Sequence, residues 1–137
     1  MLKEYLPETV VEDMENLLRR YSCRLLVVSD RRTVYGNYRA MPDGSHRITV
    51  NRGLDKWAFF LVLLHEAAHM QTRVKYGGAV RPHGQEWKES YRSLLRHYIY
   101  SGVFPPPLAS LVYEHSRNPK AFFPTEIRTF LKLNTDI

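Results

Sequence analysis

A chain of 137 residues, 44% hydrophobic and 25% charged, is long enough to bury one core and too apolar to remain disordered. Its single cysteine, Cys23, excludes an internal disulfide and a thiolate zinc ribbon, so any metal must be held by histidines and carboxylates. Twenty Lys and Arg against fourteen Asp and Glu leave a net charge of +6, which suits equally an anionic partner and a solvated basic surface that aids solubility.

From Pro7 to Tyr21, apolar residues fall at Val10, Val11, Met14, Leu17, Leu18 and Tyr21, the stripe of an amphipathic helix with proline in its first turn. Three short runs then suit strands: Cys23 to Ser29, Thr33 to Ala40 and His46 to Asn51. Turn residues Asp30-Arg31-Arg32 and Met41-Pro42-Asp43-Gly44 separate them and suggest a small meandering sheet. A long helix is expected from Asp55 as N-cap to Tyr76, ended by Gly77-Gly78 and apolar on nearly every side. Another begins just after His83 and runs to about Tyr100, closed by Gly102 and Pro105-Pro106-Pro107. Two short helices, Leu108 to His115 and Thr125 to Leu133, complete the tail. The expected whole is a single α+β domain over residues 1–137. The opening MLKEYLPETV has no basic region leading into an apolar run, and the longest apolar stretch, Trp57 to Leu64, is too short for a bilayer. A cytoplasmic location is expected.

Within the long helix stands His65-Glu66-Ala67-Ala68-His69, an H-E-x-x-H pattern. A separation of four residues puts both imidazoles on one helix face, where they can share a metal, and sets the carboxylate beside the first ligand as a general base. The apolar surroundings sharpen this reading. Buried imidazoles and a carboxylate without partners would each cost on the order of 2–7 kcal/mol, which coordination offsets.

Catalytic zinc generally takes three protein ligands and leaves a fourth position to water. The metzincin pattern would need Gly at position 72 and His at position 75, which are Thr72 and Lys75 here. Glu86, Glu89 and Glu114 are available as a third ligand. His83 is the better candidate, because a helix N-terminus disfavours imidazolium and so favours the neutral, metal-binding form. His46, His97 and His115 lack a partner at ligand spacing and read as ordinary surface or core residues. Trp57 and Trp87 read as core anchors, with Trp87 on the helix that presents His83.

His65-Glu66-Ala67-Ala68-His69 followed by His83-Gly84-Gln85-Glu86-Trp87-Lys88 resembles the SprT-like family, zinc metallopeptidase domains related to the Spartan proteases that degrade proteins crosslinked to DNA. The resemblance takes in Tyr35-Gly36-Asn37-Tyr38-Arg39, Arg47-Ile48-Thr49-Val50-Asn51, Leu63-Leu64 and Asn118-Pro119-Lys120-Ala121, and so most of the chain. It implies a zincin-like domain with Zn2+ on His65, His69 and His83 and with Glu66 catalytic. Many family members carry a C-terminal cysteine zinc ribbon, and Spartan has further DNA-binding parts; this sequence has neither.

The expected chemistry is peptide hydrolysis, in which zinc polarises the carbonyl and Glu66 takes a proton from water and passes it to the leaving amine. Tyr91, Tyr98 and Tyr113 are all candidates to stabilise the oxyanion, and spacing does not choose among them. Ile48 to Asn51 would accept a substrate as an added strand if it lay at a sheet edge. Arg73, Lys75, Arg81, Lys88, Arg92 and Arg96 stand against only Glu86 and Glu89 between Ala67 and Tyr113, an excess suited to weak, salt-sensitive nucleic-acid binding. Two other classes fit the same residues: a zinc-binding nucleic-acid or protein interaction module without catalysis, and a zinc hydrolase acting on something other than peptides.

Overall fold

The computed structural model describes residues 2–133 and is built around helix α2, Lys56–Tyr76. Asp55 starts this helix by accepting a hydrogen bond from the Trp57 backbone N–H (3.0 Å), and Gly77 ends it at φ 83°, a left-handed conformation that suits glycine. Ala58 to Leu64 are completely buried. The reason lies in what surrounds them: α2 packs against strands β2 (Gly36–Ala40) and β3 (His46–Asn51) and also against helix α3 (Gln85–Tyr100). A helix covered on several sides needs no polar stripe, hence its apolar run.

The amphipathic N-terminal segment is shorter than its pattern suggests. A 3-10 turn over Glu8–Val10 precedes helix α1, Val11–Arg20, and another 3-10 turn, unexpected from the sequence, covers Leu2–Glu4. Helix α4 covers Leu108–Arg117, two residues beyond expectation, and α5 covers Thr125–Leu131, two residues short of it.

The sheet has three strands but is not a meander. Its order is β1-β3-β2, where β1 is Cys23–Val28; β3 runs parallel to β1 and antiparallel to β2. The chain leaving β1 must therefore cross the end of β3 before β2 begins at Gly36. Asn51 fixes that crossing. Its side-chain amide donates to the carbonyls of Val34 (2.8 Å) and Arg31 (3.3 Å), its Oδ1 accepts from Arg31 Nε (2.9 Å), and its backbone N–H donates to Tyr35 O (2.9 Å). Residues expected at the start of the second strand, Thr33 to Tyr35, are consequently loop. β3 is interior, hydrogen-bonded on both sides, so the free edges belong to β1 and β2.

Alternation splits the sheet into two faces. His46, Ile48 and Val50 point to the core, as do Cys23, Leu25, Val27 and Tyr38, while Arg24, Leu26, Arg39, Arg47 and Thr49 point away. On the other side of α2, the cations of α3 serve α4. Lys88 Nζ donates to Asn118 Oδ1 (2.9 Å), Arg92 Nε to Ser116 O (3.0 Å) and Arg96 Nε to Ser116 Oγ (3.2 Å). Arg92 thereby satisfies carbonyls of Ser116 and Arg117, at a helix C-terminus that its own ladder leaves open. Among the described residues, no helix is long and apolar enough to cross a membrane.

Candidate metal centre

His65 and His69 stand one turn apart on α2, and the loop after α2 delivers His83 between them. His83 adopts φ 59°, a left-handed conformation that turns the chain into the N-terminus of α3, where Gly84 is the N-cap residue. His69 Nε2 lies 3.0 Å and His65 Nε2 3.2 Å from His83 Nε2. Coordination at 2.0–2.1 Å in a tetrahedron sets ligand nitrogens about 3.3 Å apart, close to this arrangement.

Hydrogen bonding alone does not account for the cluster. The His83 Nε2 carries either one proton or one lone pair, so it can form one well-made hydrogen bond and leaves its second close contact without one. Burial lowers the pKa of His65 well below the ordinary 6.5, takes His69 to about 4 and lowers His83 as well, so all three rings are neutral at pH 7. Three neutral imidazole nitrogens this close together can hold a metal ion. Among the described residues, no other group of histidine, cysteine or carboxylate side chains converges in this way, and Glu86, Glu89 and Glu114 are not in it.

Trp87, completely buried, braces all three ligands. Its indole N–H donates to the His65 carbonyl (3.3 Å), its ring stacks on His69, and it meets His65 and His83 edge-on with centroids 4.9 and 4.6 Å apart. Trp57 packs elsewhere, against Phe60 and Phe104.

Glu66 Oε2 lies 3.9 Å from His65 Nε2, beside the cluster without belonging to it. Burial pushes its carboxyl up to about 8, and the Arg31 guanidinium acts in the opposite direction. Gly36, the first residue of β2, makes room for it: a Cβ there would lie 2.7 Å from Val62 Cγ1 and 3.2 Å from Glu66 Cγ.

Of the three tyrosines, only Tyr91 adjoins the cluster, its ring 5.5 Å from His65. Tyr98 donates to Asp13 Oδ2 (3.3 Å), and Tyr113 is exposed under Arg96. Behind Tyr91 stands His115, an ordinary histidine by sequence but buried here with its ring 5.6 Å from Tyr91. Neither the Tyr91 hydroxyl nor His115 Nε2 has a hydrogen-bond partner among the described residues. The packing of α4 on α3 brings His115 there, and no local sequence signal announces it. His46 instead bonds the Tyr38 hydroxyl (2.7 Å), and exposed His97 lies near the end of α3. Comparison with family models, with curated proteins and with solved structures finds no match for this chain.

Proposed function

We propose that this protein is a zinc metallopeptidase of protein substrates, as its resemblance to the SprT-like family implies. The observation that carries the reading is the convergence of three neutral imidazole nitrogens with a buried carboxylate beside them. When bound, zinc supplies Lewis acidity and a coordination position open to water.

The chain's own residues do the rest. Glu66 accepts a proton at its carboxylate and returns it to the leaving amine, a role that needs the charged form at working pH. Arg31 favours that form, and a bound dication would favour it much more strongly. The substrate-binding edge moves from β3 to β2, whose outer side pairs with no other described strand and whose first residue, Gly36, leaves the space beside Glu66 that a Cβ would crowd. An extended peptide pairing there would be held by main-chain bonds, with broad sequence tolerance. DNA-associated or DNA-crosslinked proteins are the substrate class that the resemblance adds.

The test is proteolysis of a DNA-binding protein by the zinc-loaded chain, with and without single-stranded and duplex DNA, beside the Glu66→Gln variant. Gln keeps the shape and lacks the base. Zinc content should be unchanged and cleavage should fall at least ~100-fold. Equal cleavage by both proteins rules the mechanism out.

A further inference from the structure

We infer that the outer face of the sheet is a docking surface for the phosphodiester backbone of nucleic acid, held through Arg24, Arg39 and Arg47. The strand register places these residues in one row. Arg24 of β1 stands opposite Arg47 of β3, and Arg47 stands opposite Arg39 of β2, all on the face turned away from α2. With strands 4.7–4.9 Å apart, the row is about 10 Å long. Like charges directly opposite one another weaken a sheet.

Nothing among the described residues compensates for them. None of the three guanidiniums forms an ion pair or a hydrogen bond with another described residue. Asp43, in the hairpin turn between β2 and β3, is bound to the Ser45 backbone and hydroxyl. Of the six basic residues that stand out in the sequence, Lys88, Arg92 and Arg96 behave differently, being committed to α4 and the Asn118 that follows it. Three aligned, uncommitted arginines do not serve the fold, and they match a linear array of negative charge.

The remainder of the face selects among anions. Beside the row the strands place Leu26, Val28, Asn37, Thr49 and Asn51 on this face, none of them an aromatic ring that could stack a base, and two aliphatic side chains are a small anchor for a protein partner. Arg31 lies along the same face but spends its donors on Asn51 and Thr49. Contact is therefore to phosphates alone and is independent of base sequence.

The experiment is fluorescence anisotropy of the full chain with labelled single-stranded DNA, duplex DNA and RNA of mixed sequence, titrated at 50 and 200 mM salt. Three phosphate contacts predict a loss of about 40-fold for duplex and about 20-fold for a single strand across that range. R24A/R39A/R47A should abolish most of this dependence, while R24K/R39K/R47K should retain it. Thermal unfolding of the alanine variant should match or exceed that of the parent, which separates lost binding from lost folding. Unchanged affinity and salt dependence in the alanine variant, or preferential binding of polyglutamate or anionic vesicles, would overturn the inference. The readout is binding without cleavage, so its failure leaves the peptidase proposal untouched.

Discussion

At Glu66 and its histidine neighbours, burial acts on opposite charges, and the metal-free chain should reveal both effects as a function of pH. Glu66 in the folded state sits at about 8 against an ordinary 4.5, so its contribution to stability is full below about 4.5 and is lost as pH rises to about 8. His69 and His115 sit at about 4 against 6.5, and His65 and His83 are lowered as well. Their contribution is full above 6.5 and is lost as pH falls towards 4. With His46, also lowered by burial, five histidines outweigh one glutamate below 6.5, and between 6.5 and 8 Glu66 sets the slope. Denaturant unfolding in excess chelator should therefore give greatest stability near pH 6.5, and the Glu66→Gln variant should lose the decline on the alkaline side. A wild-type profile that keeps rising to pH 8 would contradict the assignment.

Helices and strands differ in how far their sequence foretold their place. α2 was legible from its N-cap at Asp55 to its terminator at Gly77, because capping and apolar run length are local properties. The sheet order was not. Strand pairing depends on the route of residues 29–35, which four hydrogen bonds of Asn51 settle over the end of β3, and a single asparagine leaves no periodic trace. The convergence of the three histidines was legible for a similar reason to α2: four-residue spacing sets His65 and His69 on one face, and the glycine-bearing loop to the next helix returns His83 to it. His115 was hidden because only α4 packing brings it near. Gly36 tests the contact between sheet and helix. Gly36→Ala drives a methyl into Val62 and the Glu66 stem, which should cost about 1–3 kcal/mol of stability and displace the base. Unfolding curves and cleavage rates should both fall while zinc content holds.

Across the whole molecule, the candidate metal centre joins the sheet-bound helix to the segment leading into α3. His65 and His69 belong to α2, whereas His83 belongs to the loop leading into α3, which in turn carries α4. Zinc binding to the folded state alone should raise the unfolding temperature in proportion to the logarithm of its concentration. His83→Ala removes one coordination bond and should abolish both tight zinc binding and the rise. Undiminished zinc in that variant would transfer the third-ligand role to a carboxylate.

The position of Trp87 also has an optical consequence. The chain has two tryptophans, and one of them touches every ligand of the centre while the other, Trp57, lies among phenylalanines on a different part of α2. Intrinsic fluorescence thus divides into a metal-sensitive and a metal-blind emitter. A quenching ion such as Cu2+ on the imidazoles would darken Trp87 by proximity and leave Trp57 bright, so a Trp57→Phe protein reports occupancy of the centre by its own light, with no added dye.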